Sequence, residues 1–119
     1  MAETRKPLGW LVDSLTTPPV GREARRQAGT LLRLLQEGEK LALPHSRPMP
    51  SVGRRVHELR VRDGETGLTW RIFYRVDEDA ILVIEWSAKK TEKTSKAVIR
   101  TCKIRLRQYD EAARRGGER

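Results

Sequence analysis

The chain has one cysteine, one phenylalanine and two histidines in 119 residues, and aromatic residues make up only 5% of it. Each shortage closes off a class of chemistry. Cys102 alone cannot form an internal disulfide, which fits a reducing, cytoplasmic setting. His45, His57 and Cys102 are too few and too scattered for a zinc cluster, so neither a metal nor a cofactor is expected. No stretch approaches the ~20 apolar residues of a membrane helix, and Met1–Pro7 has no apolar run of the kind a signal peptide carries. The runs "GREARRQAG" and "RRGGER" lack the spacing of a phosphate-binding glycine loop. No serine or cysteine has a partner suited to nucleophilic catalysis, and Cys102 falls on an apolar helical stripe, so it reads as core.

What the chain has in excess is positive charge. Lysine plus arginine number 25 against 16 aspartate plus glutamate, a net charge of +9. Such an excess concentrates anions around a small protein, and nucleic acid is the commonest such partner. The length suits one domain over residues 1–119, with the polar end at 113–119 expected to fray.

Patterning along the chain predicts an α+β fold: a small antiparallel sheet of about four strands, an N-terminal helix and a C-terminal helix. A short first strand is expected around Trp10–Val12. Thr17 ahead of Pro18-Pro19 suits a helix start, the apolar stripe Ala24, Ala28, Leu31, Leu32 and Leu35 carries the helix, and Gly38 suits its end. Three prolines in 43–53 imply an extended connection. Strand-like runs then occupy 56–62, 68–76 and 80–86, separated by "DGETG" and "DED". A helix over 95–112, capped by Thr94 or Ser95, presents an apolar stripe of Val98, Cys102, Leu106 and Tyr109.

Strand parity sorts the side chains by face. Leu68, Trp70, Ile72 and Tyr74 share one side, Thr69, Arg71, Phe73 and Arg75 the other. Leu82, Ile84 and Trp86 are expected opposite Ile81, Val83 and Glu85. The sheet is thus expected to turn one apolar face to helices and one arginine-bearing face to solvent. Arg71 and Arg75 flank Phe73, which suits forked binding of a planar anion beside a stacking ring. Between Ser87 and Tyr109 stand eight basic residues, among them Lys89, Lys90, Lys93, Lys96 and Arg100, against the single acid Glu92. Density of that kind repels itself, so binding explains it better than stability. A solvated helix face and plain core packing of Phe73 are the alternatives.

Metal-free RNA cleavage needs a base for the 2′-hydroxyl, an acid for the leaving 5′-oxygen and positive charge at the phosphate. Crowding by other cations favours proton exchange at Lys89 or Lys90. Glu58 and His57 are the other proton-transfer candidates; parity puts Glu58 beside Arg60 and on the Arg71 side, with a structural Glu58–Arg60 ion pair as the alternative.

The run "VHELRVRDGETGLTWRIFYRVDEDAILVIEWSAKKTEKTSKAVIRTCKIRLRQY" resembles the phage-related, HigB-like branch of the RelE toxin superfamily. The resemblance rests on Glu58-Leu59-Arg60, on Trp70-Arg71 through Tyr74, on the apolar strand Ile81–Ile84 and on Lys89-Lys90-Thr91. It implies a compact α+β fold with helices on one sheet face. It also implies a type II toxin that cuts mRNA on the ribosome and is neutralised by a cognate helix-turn-helix antitoxin. Arg71 would hold the scissile phosphate, Arg60 would assist, and Lys89 and Lys90 would bind or polarise RNA. The chain departs from the family pattern at Trp86-Ser87-Ala88 before the lysine pair, at Ser95 in place of a proline, and at Tyr109 on the apolar stripe. A non-catalytic RNA- or protein-binding module is the other reading.

Overall fold

A computed structural model describes residues 5–12 and 20–117. In chain order it comprises β1 (Leu8–Trp10), α1 (Arg22–Gln36), β2 (Ser46–Pro48), β3 (Val56–Asp63), β4 (Leu68–Val76), β5 (Ile81–Ala88) and α2 (Lys96–Gly117). The strands form one five-stranded sheet in the order β1-β5-β4-β3-β2. β1 runs parallel to β5, and every other pairing is antiparallel. The fold is α+β, and its sheet is mixed. The proline-bearing connection contains β2, a short edge strand, the position at which proline's missing donor is tolerated.

The two helices pack on opposite faces, which corrects the expectation of a solvent-facing arginine side. α1 sets Ala24, Ala28, Leu31, Leu32 and Leu35 against Leu59, Val61, Trp70, Ile72, Tyr74, Ile81 and Val83. On the far face, Cys102 and Leu106 of α2 cover Val56, Phe73, Leu82 and Ile84, with Val98, Ile99 and Tyr109 at the margin. The reason is area. Phe73, Leu82 and Ile84 on that face are worth roughly 1.5–3 kcal/mol each when buried, and the apolar stripe of α2 is the matching cover.

β5 departs from simple alternation. Phe73 pairs with Glu85 but Tyr74 pairs with Val83, so one extra residue sits in β5 at Ile84. Such a bulge resets parity: Trp86 joins Ile81 and Val83 on the α1 side rather than Leu82 and Ile84. The Ile84 carbonyl accepts a bond from Arg105 Nη1 at 2.8 Å, so α2 satisfies the oxygen at the irregularity.

The helix ends follow local chemistry. α1 starts at Arg22 with Gly21 as its N-cap residue, and the expected start at Thr17–Pro19 lies outside the described residues. Gly21 has no side chain to cap with, and Asp63 at the end of β3 substitutes by accepting the Gly21 N–H at 2.8 Å. At the other end Gly38 adopts φ 95°, its N–H bonds the Leu35 carbonyl, and the Glu39 N–H bonds that of Leu34. This paired arrangement closes helices where glycine takes the left-handed conformation. Ser95 caps α2, its Oγ accepting the Val98 N–H at 3.2 Å. α2 continues to Gly117, through much of the stretch expected to fray. No described helix is long and apolar enough to cross a membrane.

Candidate nucleic-acid interface

The antiparallel register brings the charged residues of three strands to one end of the sheet. Arg47 of β2 pairs with Glu58 of β3, and Arg60 of β3 pairs with Arg71 of β4. Like charges directly opposite one another are unfavourable, and Glu58 is the counterion. Its carboxylate lies 3.1 Å from Arg47 Nε, 3.4 Å from Arg60 Nε and 3.2 Å from Arg71 Nε. The Glu58 side chain is fully buried and that of Arg71 is 4% exposed, whereas Arg47 and Arg60 reach solvent. The Arg71 Nε contact is an ion pair without hydrogen-bond alignment. Burial pulls the Arg71 guanidinium below its ordinary pKa, with Glu58 opposing that pull.

The other nitrogens of Arg71 hold the lysine loop. Nη2 donates to the carbonyls of Thr91 and Glu92 at 2.8 Å each, and Nη1 to that of Lys93 at 3.4 Å. One planar fork thus gathers three successive carbonyls, a task suited to guanidinium geometry. The loop is fixed at its start by the Lys89 N–H, which donates to the Thr69 carbonyl at 2.7 Å. Lys89 Nζ bonds Glu92 at 2.8 Å, and this bond and charge hold the Glu92 carboxyl below its usual range. Lys90, Lys93, Lys96 and Arg100 are exposed. A cavity of about 230 Å³ is lined by Arg71, Ser87, Lys90, Lys93 and the first turn of α2.

Several predicted site residues stand elsewhere. Phe73 is fully buried beneath α2 and presents no face for a base, so its stacking role is withdrawn. Arg75 is also covered, and its fork is occupied: Asp77 accepts at 2.7 and 2.9 Å, and Asp110 of α2 at 3.0 and 2.7 Å. Those bonds raise its pKa and lower that of Asp110. Arg75 is therefore a clasp between sheet and α2 rather than an RNA contact. Glu58 does neighbour Arg60 and Arg71, but complete burial denies it proton exchange with a substrate hydroxyl. His57 stacks on Tyr74, ring centroids 5.4 Å apart, away from the lysine loop.

Arg47 is a site residue that the sequence reading misses; its one sequence signal is a basic residue between Pro44 and Pro48 in the connection ahead of the Glu58 strand. Among the described residues, no group of three or more His, Cys, Asp or Glu is placed to hold a metal ion.

No curated protein and no solved structure matches the chain. The model of one family matches residues 20–107, from the start of α1 through the lysine loop and most of α2. The chain belongs to the family described as Phage derived protein Gp49-like (DUF891).

Proposed function

We propose that this protein is a toxin of the RelE/HigB-like kind that engages mRNA on the ribosome and promotes metal-free cleavage, under control of a helix-turn-helix antitoxin. The observation that carries the reading is the lysine loop 89–93, with Lys90 and Lys93 exposed, tied by Arg71 beside Arg60. Membership of a phage-derived family and the resemblance carried by Glu58-Leu59-Arg60 and Lys89-Lys90-Thr91 support it.

In this scheme the 2′-oxygen attacks the adjacent phosphorus, the 5′-oxygen leaves, and charge accumulates on the two non-bridging oxygens. Lys90, Lys93 and Arg60 stabilise that charge, which preorganised cations do best in a partly enclosed site. In this reading Lys90 is assigned the proton exchange, the proton leaving the 2′-hydroxyl and one returning to the departing 5′-oxygen, whereas Lys89 is bonded to Glu92 and anchors the loop. Arg71 acts as a positioning residue that sets the loop, and Glu58 as the counterion that keeps three guanidiniums together. Lys96 and Arg100 extend the contact along the backbone of the strand.

Primer extension on translating ribosomes tests the proposal. New 5′ ends within the mRNA are expected with the protein present, and Lys90→Ala with Arg60→Ala should abolish them while leaving the fold intact. Absence of cleavage, with no growth arrest on expression, would remove the nuclease reading.

The sealing of Glu58 and Arg71 favours a second reading, a non-catalytic RNA-binding module. It predicts binding to ribosome-associated RNA that weakens steeply with salt, without new 5′ ends.

A further inference from the structure

A second basic surface lies on the far part of α2, where the helix faces the turn that leads into β3. The groove between them is about 470 Å³. Lys103, Arg107 and Arg114 form one wall and Arg54 and Arg55 the other, over an apolar floor of Val52, Val56 and Leu106. The only carboxylates in its lining are Asp110 and Glu111, and Asp110 is bonded to Arg75. The side chains of Arg54, Lys103 and Arg107 make no hydrogen bond or ion pair among the described residues. Cations brought together without counterions repel one another, so folding alone does not account for the arrangement.

Arg55 adds an independent mark. It adopts φ 64°, a left-handed conformation in a residue other than glycine, which costs on the order of 1–3 kcal/mol. Its side chain is 60% exposed and lies 3.7 Å from Asp77, a loose pairing. The strained backbone turns this arginine to the rim of the groove.

We infer that this groove binds the sugar–phosphate backbone of single-stranded RNA. A walled, cationic channel suits a flexible strand, whose phosphates meet the charged walls while its bases lie on the exposed arginine planes. Lys96, Arg100, Lys103, Arg107 and Arg114 recur at offsets of zero, four, seven, eleven and eighteen, one stripe of a helix. From Lys96 to Arg114 the stripe rises about 27 Å, so the strand held in the groove is continuous with the one at the lysine loop. The inference deepens the RNA reading above by naming a second contact, and it does not require cleavage.

The test is a salt titration of binding to a labelled single-stranded RNA oligonucleotide, followed by fluorescence anisotropy. Each phosphate neutralised adds about 0.7 to the magnitude of the slope of log K against log salt. The triple variant Arg54→Ala, Arg107→Ala, Arg114→Ala should keep its melting temperature and lose about 2 from that slope. Arg107→Glu alone should weaken binding at least tenfold at low salt. An unchanged slope in the triple variant overturns the groove, as does a full-length protein that binds no RNA. An unchanged slope with ribosomal cleavage intact sinks the groove alone. A reduced slope without cleavage sinks the nuclease reading alone.

Discussion

Glu58 Oε1 lies 3.2 Å from Arg71 Nε, with the carboxylate fully buried and the guanidinium nearly so. Two further arginines, Arg47 and Arg60, contact the same carboxylate. Removing one partner from a buried ion pair leaves an uncompensated charge and costs roughly 3–5 kcal/mol. Glu58→Gln should therefore lower unfolding free energy by about 3 kcal/mol, while Arg62→Gln on an exposed position of the same strand should change it by less than about 0.5 kcal/mol. Urea melts followed by tryptophan fluorescence report both. A loss below about 1 kcal/mol for Glu58→Gln would show that the three guanidiniums do not depend on it.

Arg71 is the tie between the sheet and the lysine loop. Replacing it with alanine removes the donors to the carbonyls of Thr91 and Glu92 and leaves that of Lys93 only the Thr91 hydroxyl. Amide exchange in 91–95 should rise at least tenfold and RNA affinity should fall, with the sheet still folded. Arg71→Lys should rescue neither, because an ammonium lacks the planar fork that spans several carbonyls. Full rescue by lysine would mean that charge alone, not geometry, holds the loop.

Strands β3 and β4 and both helices were legible because each has a clean period: alternation in 56–62 and 68–76, and apolar stripes at helical spacing in the helices. β2 reads instead as an extended connection, because a three-residue edge strand among prolines has no period to show. The bulge at Ile84 was not, since "ILVIEW" is apolar on either face and no local residue marks where parity resets. The cover over Phe73 was hidden for a related reason. Arginines on both sides make that face look wet. Of the two acids that neutralise Arg75, Asp77 is close in sequence but Asp110, which ties it to α2, lies 35 residues away. The gathering of Arg47, Glu58, Arg60 and Arg71 was half visible: parity put Glu58 with Arg71, but burial decided which of them meets solvent.

The Arg75–Asp110 clasp makes α2 docking sensitive to acid. Arg75 holds the Asp110 carboxyl below its ordinary value in the folded protein. A depressed carboxylate contributes stability above its unfolded pKa of about 3.9 and loses it as pH falls through the lower folded value. Asp110 is 54% exposed, so screening keeps the contribution near or below about 1 kcal/mol. Asp110→Asn should be less stable than the parent protein at pH 7, with a smaller gap at an acid pH well below the unfolded pKa of about 3.9. Chemical denaturation at both pH values measures the gap. The same gap at both would assign the loss to packing rather than charge.

Two glycines of the α1 region should respond to alanine with opposite signs. A Cβ on Gly21 would fall on the carboxylate of Asp63, which is fully buried and caps the helix through the Gly21 N–H. The same carboxylate accepts the Glu65 N–H at 3.1 Å, so it cannot step aside without leaving that donor unpaired. Overpacking of this kind, with loss of a cap, costs about 1–3 kcal/mol. Gly29 sits in the middle of the same helix, and a Cβ there meets nothing within 4 Å. Glycine in a helix interior is destabilising by roughly 0.5–1 kcal/mol relative to alanine, so Gly29→Ala should raise the melting temperature by a few degrees. Thermal melts of the two variants side by side carry the test. A Gly21→Ala protein as stable as its parent would mean that Asp63 is not the cap of α1.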